Sequence, residues 1–212
     1  MKLLNRIPLF FFGGVYPSKV YGKENVPDGS AVIVCNHYMA LDCAFILKAH
    51  RDNVYFLAKN ELFKKKWLAR IIKSYGAIPI DRDNPDMKSI IAAIKVLKAG
   101  NKLTIFPEGT RNKTGSNELQ EIKGGTVVFA VKAKCPIVPM MIYKKSKLFR
   151  KTHIIVGKPF TLEEFYDKKL TSEVIDEMDK IVSDKMKSEH AKLIDLIENK
   201  KRRKKKTKVN EK

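Results

Sequence analysis

A histidine and an aspartate lie five positions apart in the segment NHYMALD, residues 36–42, directly after the apolar run AVIVC. If that run is a strand ending at Cys35, the following loop can bring His37 beside Asp42 at the start of a helix. A neutral imidazole accepts a proton near pH 7, and a carboxylate on its other nitrogen fixes the tautomer. The pair is therefore suited to deprotonating a substrate hydroxyl directly, without a covalent enzyme intermediate.

Other interpretations of this segment remain open. Asp42 could be only a helix N-cap and His37 a loop residue, since such pairs are common by chance. Cys35 could be an acyl-carrying nucleophile, although a cysteine that ends an apolar run is more often a small buried hydrophobe. A zinc site is disfavoured, because the remaining histidines form no cluster at metal-binding spacing.

Two further segments place charged residues directly after an apolar run. GAIPIDR, residues 76–82, ends in Arg82, and FPEGTR, residues 106–111, contains Glu108 and Arg111. A guanidinium forms paired hydrogen bonds with a phosphate, and backbone N–H groups at a turn containing glycine add more. Glu108 could orient Arg111 or bond a substrate hydroxyl, or it could form a salt bridge that only holds the loop together.

Strands and helices alternate in the elements that must position these residues. Short apolar, β-branched runs predict strands over residues 31–35, 54–58, 77–80, 102–107, 136–143 and 153–157. Helical spacing predicts helices over 42–50, 60–74, 85–99 and 124–133, and one long helix or two short ones from 172 to about 199. The alternation predicts an α/β sandwich, a mostly parallel sheet covered by helices, with ligands at the carboxyl ends of its strands.

Composition limits the class of partner. The chain has 212 residues, enough for one core, and a formal net charge of +20. That charge favours a polyanion: nucleic acid, an anionic membrane surface or a phosphorylated small molecule. No RRM, KH or helix-turn-helix pattern appears, and we expect the basic residues not to be interleaved with exposed aromatic ones. The three cysteines give no disulfide framework and favour a reducing compartment.

Both ends of the chain are predicted to lie outside the folded domain, which we assign to residues 20–199. The apolar run near the N-terminus is about ten residues long, whereas a bilayer span needs about twenty. We expect residues 1–19 to lie in a membrane interface with Phe10, Phe11 and Phe12 inserted, although these rings could instead pack on the core. Seven consecutive basic residues predict a disordered tail over 200–212.

Taken in order, four blocks of the sequence resemble those of the glycerolipid acyltransferases, and more narrowly the bacterial 1-acylglycerol-3-phosphate acyltransferases. The blocks are His-x4-Asp, Gly-x-Ile-x-x-x-Arg, FPEGTR and IVPM, and the resemblance runs from residue 20 to about 160. It implies that His37 is the base and Asp42 its orienter. It also implies an acceptor-phosphate site formed by Lys59, Arg82, Glu108, Gly109, Thr110 and Arg111.

The resemblance further implies the reaction and its partners. A fatty acyl group would pass from a thioester of acyl carrier protein or coenzyme A to the sn-2 hydroxyl of lysophosphatidic acid, giving phosphatidic acid, with no metal or cofactor. We expect a peripheral enzyme on the anionic cytoplasmic face of the cell membrane that binds no nucleic acid. The alternatives are another lysolipid acceptor and, from a different class, a basic nucleic-acid-binding protein.

Overall fold

The computed structural model describes residues 6–50, 54–81, 87–114, 118–122 and 125–210. Within them lies a seven-stranded sheet in the order β1-β7-β6-β2-β5-β3-β4. Neighbouring strands are parallel except β6 and β7, which are antiparallel. The strands are β1 (Ser18–Tyr21), β2 (Ala31–Cys35), β3 (Val54–Lys59), β4 (Ala77–Ile80), β5 (Lys102–Ile105), β6 (Ile137–Ile142) and β7 (Thr152–Val156).

Helices cover both faces of this sheet. They are α1 (Arg6–Val15), α2 (Asp42–Ala49), α3 (Lys66–Ser74), α4 (Met87–Lys98), α5 (Val128–Ala133) and α6 (Ser172–Asn210). Alternate residues of the central strand β2 enter two separate apolar cores. Val32 and Val34 pack with side chains of α4, α5 and α6, whereas Ile33 and Cys35 pack with side chains of α2. Burial on both faces explains why β2 is a continuous apolar run without alternation.

The predicted α/β sandwich with a mostly parallel sheet is confirmed, and so are all six predicted strands. The strand β1 was missed because SKVY is short and lies at the sheet edge, where its pairing with β7 depends on residues far along the chain. The helix predicted over 60–74 is divided into a 3₁₀ helix, Asn60–Phe63, and α3. The helix predicted from residue 124 begins at Val128, because Gly125 forms a turn whose N–H donates to Asp179 of α6.

The structure changes the boundary predicted for the N-terminal segment. Its last residues belong to the sheet, since β1 begins at Ser18. The half-buried Phe12 ring packs edge-on against Phe45 of α2 at a centroid distance of 4.9 Å, which supports the alternative that this ring packs on the core. Phe11 is 68% exposed, and the side chain of Phe10 lies outside the described residues. Of the helices described, none combines the length and apolar composition needed to cross a bilayer.

The prediction of a disordered basic tail is also wrong for the residues that the structure describes. Helix α6 continues as a single helix to Asn210, and residues 211–212 lie outside the description. Lysine and arginine have high helix propensity, and cations near a helix C-terminus interact favourably with its dipole. Extending a helix that already packs on the core avoids the cost of a new nucleus. Lys200 adds a tertiary contact, donating to the Tyr21 hydroxyl at 3.1 Å.

The turn before β4 approaches the start of β3 closely, and this contact can be tested by substitution. Gly76 has φ 83°, and an added Cβ would lie 2.7 Å from the carbonyl oxygen of Val54. We expect Gly76→Ala to lose about 1–3 kcal/mol of unfolding free energy through strain, plus the cost of the clash. Gly29→Ala is the matched control, because Gly29 has φ 75° but no atom near its Cβ position. Urea denaturation should show a distinctly larger loss for Gly76→Ala, and equal losses would contradict the close approach.

Candidate active site

Two loops meet at the edge of the sheet where the parallel strands end. Residues 36–41 follow β2, residues 106–111 follow β5, and these two strands are neighbours in the sheet. The loops are joined by a backbone hydrogen bond in which Asn112 N–H donates to the His37 carbonyl at 2.7 Å. The segments that carry His37 and Arg111 are therefore held together, as their positions after adjacent strands predict.

The imidazole of His37 is oriented by a buried carboxylate. Its Nδ1 lies 2.9 Å from Oδ2 of Asp42, whose side chain is completely buried. The same oxygen accepts the N–H groups of Tyr38 at 2.7 Å and Met39 at 2.8 Å. With Nδ1 donating to Asp42, Nε2 is the ring nitrogen that can accept a proton.

This geometry rules out the interpretation of Asp42 as only a helix cap. Asp42 is the first residue of α2, and the N-cap position is occupied by Leu41, which makes no side-chain capping bond. The Asp42 carboxylate bonds to the loop that precedes the helix. It therefore fixes the path of residues 37–39 as well as the imidazole ring.

An aromatic ring covers one face of the imidazole. The ring of Phe106 stacks on His37 with a centroid distance of 4.0 Å and an interplanar angle of 21°. Phe106 is buried and directly follows β5. The first residue of the FPEGTR segment thus contacts the histidine ring, a contact that sequence reasoning did not anticipate.

Asn36, which sequence reasoning missed, attaches the residue before His37 to the sheet. Its side-chain amide donates to the carbonyl of Ile142 at 2.9 Å, and its Oδ1 accepts the Ile142 N–H at 2.8 Å. Asn36 is 1% exposed. The only sequence signal is a polar amide directly after a strongly apolar strand, where burial requires a hydrogen-bonding partner.

Asn112, also missed, fixes the loop that carries Arg111. Its side chain is buried, donates to the Glu118 carbonyl at 2.9 Å and accepts bonds from the N–H and hydroxyl of Thr114. An asparagine bonded to the residue two positions later forms an Asx turn. The triplet Asn-Lys-Thr after FPEGTR was the available signal.

Glu108 contacts the backbone of residues 36–41, which we call the histidine loop. The side chain is 3% exposed, its carboxyl group accepts the His37 N–H, and Oε2 has no hydrogen-bond partner among the described residues. Burial raises the pKa of Glu108 to about 7, the His37 N–H opposes that rise, and the charge of Asp42 adds to it. Near neutral pH this carboxyl group therefore carries a proton for part of the time.

The remaining predicted phosphate ligands that the structure describes lie at the end of β3 and after β5, at the same edge of the sheet. Lys59 is the last residue of β3 and is exposed, as are Thr110 and Arg111. The Thr110 hydroxyl donates to Gln120 Oε1 at 3.4 Å. Gly109 has φ 68° and donates its N–H to the Phe106 carbonyl, which closes the turn before Arg111. Arg82 lies outside the described residues.

Cys35 and the IVPM segment, residues 137–140, are buried in the interior of the protein. Cys35 is fully buried, and this burial raises the pKa of its thiol, with a smaller contribution from the charge of Asp42. The nucleophilic thiolate is therefore disfavoured, which contradicts the covalent alternative. Val138 and Pro139 lie buried within β6. Among the described residues, no group of three His, Cys, Asp or Glu side chains could hold a metal ion.

The raised pKa of Glu108 predicts a pH-dependent stability. The folded state keeps a proton that the unfolded chain releases between pH 4.5 and about 7, so the unfolding free energy should fall as pH rises through that window. In Glu108→Gln this contribution disappears. The difference between variant and wild type should change by up to about 3 kcal/mol across the window.

Urea denaturation at several pH values measures that difference. Asp179, whose pKa is raised to about 6 by burial, contributes equally to both proteins and cancels. Glu177→Gln, an exposed position of α6, is the matched control and should show no such change. A pH-independent difference for Glu108→Gln would show that Glu108 titrates normally.

Comparison with known proteins identifies relatives of this chain. The family model described as Acyltransferase matches residues 17–143. A 1-acyl-sn-glycerol-3-phosphate acyltransferase of Bacillus subtilis (strain 168) is 36% identical over 167 residues, which cover 76% of this chain and 80% of that protein. An enzyme of the same name from Helicobacter pylori (strain J99) is 34% identical over 125 residues, covering 57% of this chain and 52% of that protein.

A solved structure shares the fold. The crystal structure of the 1-acyl-sn-glycerophosphate (LPA) acyltransferase PlsC from Thermotoga maritima superposes with a TM-score of 0.64 at 23% identity. The match covers 91% of this chain and 76% of that one. The family model includes the loops that carry His37, Asp42 and Arg111. The chain therefore belongs to the acyltransferase family.

Proposed function

We propose that this protein transfers a fatty acyl group from an acyl thioester to the sn-2 hydroxyl of 1-acylglycerol-3-phosphate, giving phosphatidic acid. The observation that carries the proposal is the bond between His37 and buried Asp42, in a loop joined to the loop of Arg111. The names of the Bacillus and Helicobacter relatives support the acceptor. Acyl carrier protein and coenzyme A both remain candidate carriers of the thioester.

In the proposed mechanism His37 moves one proton between two substrates. Nε2 takes the proton of the acceptor hydroxyl as its oxygen attacks the thioester carbonyl, while Asp42 stabilises the imidazolium that forms. A carbon–oxygen bond forms, and the carbon–sulfur bond then breaks. The leaving thiolate receives the proton back from His37, so the enzyme returns to its starting state.

Binding of the acceptor phosphate orients the acceptor glycerol. In the proposal Arg111, Lys59 and Arg82 bind the phosphate, and Gly109 and Thr110 shape the turn that presents backbone N–H groups to it. A guanidinium and a flexible ammonium are well suited to a phosphomonoester. Holding the phosphate fixes the glycerol relative to Nε2, which converts the encounter of hydroxyl and base into an intramolecular event. Glu108, when protonated, can donate to a substrate oxygen through Oε2.

The net charge of +20 suits both the acceptor and the donor. Lysophosphatidic acid stays in a bilayer, so we propose that the enzyme works peripherally at the anionic cytoplasmic face of the cell membrane. The same field attracts the acidic acyl carrier proteins and the phosphates of coenzyme A. Association of either donor should therefore slow as ionic strength rises.

The proposed base predicts a specific effect on turnover. In Asp42→Asn an amide oxygen can still accept the bonds from the loop, but no negative charge remains to stabilise the imidazolium. We expect kcat to fall about 10²- to 10⁴-fold with KM little changed, and His37→Ala to lose at least as much. Asp28→Asn, at an exposed loop position, is the control. Substantial turnover by a folded His37→Ala protein, checked by circular dichroism, would exclude His37 as the base.

The acceptor is tested by an assay of purified protein on three lysolipids. We expect kcat/KM to be highest for lysophosphatidic acid and lower for lysophosphatidylglycerol and lyso-ornithine lipid. Arg111→Ala should raise KM for lysophosphatidic acid by about 10- to 100-fold, the size of a lost charge-assisted hydrogen bond. Lys113→Ala, two positions away and also exposed, should change KM little. A preference for either other lysolipid would overturn the proposed acceptor.

A further inference from the structure

The connection between β6 and β7, residues 143–151, exposes apolar side chains beside the candidate active site. It starts at the sheet edge that carries His37, because Ile142 at the end of β6 is bonded to the side chain of Asn36. The base of the connection is fixed by a buried hydrogen bond from Thr152 to Ser146. Beyond that base, Leu148 is 57% exposed and Phe149 is 76% exposed. We call these two residues the hairpin patch.

The backbone conformation of Phe149 is unfavourable for a bulky residue, so the stability of the fold does not explain why phenylalanine occupies this position. Phe149 has φ 55°, a region that costs a bulky residue free energy and that glycine or asparagine occupies more easily. Its N–H donates to the carbonyl of Val15 at 2.8 Å, a bond that any residue except proline could make. The fold therefore requires the backbone of Phe149 but makes little use of its exposed ring.

A second apolar surface lies on the other side of the histidine loop. The 3₁₀ helix and α3 follow β3, which ends at the same edge of the sheet as β2. Leu62, Trp67 and Ile71 are 44%, 64% and 48% exposed, whereas α3 turns Ala69 toward the protein. Trp67 and Ile71 are four positions apart and so share one outward face of the helix. We call Leu62, Trp67 and Ile71 the helix patch.

Cations surround both patches. Residues 143–151 contain five basic and no acidic side chains, and residues 60–74 contain five basic side chains and one acidic side chain, Glu61. The basic residues are all exposed: Lys144, Lys145, Lys147, Arg150 and Lys151 around the hairpin patch, and Lys64, Lys65, Lys66, Arg70 and Lys73 around the helix patch. Exposed apolar groups mixed with lysine and arginine match an anionic lipid surface, where acyl chains and headgroups lie together.

We propose that the hairpin patch and the helix patch dock onto an anionic phospholipid bilayer and hold the loop of His37 against its surface. The strand order places β6 on one side of β2, and β5 followed by β3 on the other, so the patches flank the histidine loop. Exposed aromatic rings do lie among the cations, at Trp67 and Phe149, and single-stranded nucleic acid binds to such rings by base stacking. The exposed aliphatic side chains of Leu148 and Ile71 beside them favour a lipid surface instead. The inference deepens the proposed function and rests on it for its purpose, since the acceptor is a lipid.

Trp67 permits a direct test because it is the single tryptophan of the chain. Vesicles of equimolar phosphatidylglycerol and phosphatidylcholine should shift its emission to shorter wavelength, and brominated phospholipids should quench it. Vesicles of phosphatidylcholine alone should give a much smaller shift. Co-sedimentation with the anionic vesicles but no change in Trp67 emission would overturn the role of the helix patch. Retention on RNA without any vesicle binding would overturn the whole inference.

Variants separate the two patches from general effects. Phe149→Gly relieves the positive φ, so it should fold at least as stably as wild type and partition onto anionic vesicles about tenfold more weakly. Ile71→Gln should weaken partitioning in the same direction. Ile91→Gln is the matched control, since Ile91 is 45% exposed on α4 and belongs to neither patch. Wild-type partitioning by Phe149→Gly would overturn the role of the hairpin patch.

Activity measurements distinguish this inference from the proposed function. With a short-chain lysophosphatidic acid that is monomeric in solution, Phe149→Gly and Ile71→Gln should match wild type. With the acceptor embedded in anionic vesicles, both should be slower. Equal losses with the two substrates would place these residues in catalysis and overturn the docking role. Binding of wild type to vesicles without acylation of either substrate would support docking and reject the proposed function.

Discussion

The candidate site depends on one buried carboxylate oxygen. Oδ2 of Asp42 accepts the ring N–H of His37 and two successive backbone N–H groups. A buried carboxylate is unfavourable unless hydrogen bonds replace its hydration. The three donors do so at Oδ2, whereas the buried Oδ1 has no hydrogen-bond partner among the described residues. Because the donors belong to the loop that ends at Asp42, satisfying the charge also fixes the loop. The proposed base and the conformation that presents it therefore have the same origin.

Two asparagines extend this arrangement into the sheet and the neighbouring loop. Asn36 bonds both backbone groups of Ile142, so the start of the histidine loop continues the ladder between β2 and β6 through a side chain. Asn112 holds the loop that follows Arg111 and donates its own N–H to His37. Phe106 covers one face of the imidazole. The ring is thus held by the bond at Nδ1, by stacking on one face and through its backbone, which limits its movement during the proposed proton transfer.

The local part of this arrangement was predictable from the sequence, whereas the supporting contacts were not. The strands were predictable because β2 and its neighbours are apolar, β-branched runs, and alternation with helices implies a parallel sheet. The proximity of His37 and Asp42 followed from a short loop between a strand and a helix. Asn36 and Phe106 act through partners far along the chain, and no periodicity reports such pairs. The run of basic residues near the C-terminus favoured a prediction of disorder, because the docking of α6 that supports its continuation is a tertiary effect.

In the histidine loop the main chain and the side chains have different roles. Tyr38 and Met39 bond Asp42 through their N–H groups, while Ala40 and Leu41 are exposed. The number of residues between His37 and Asp42 is therefore rigidly constrained, since one inserted residue would displace the donors from a single oxygen. The identities at positions 40 and 41 are much freer, provided they suit the same backbone. Such a loop can exchange the side chains at its rim during evolution or design while the geometry of the bond between His37 and Asp42 is inherited unchanged.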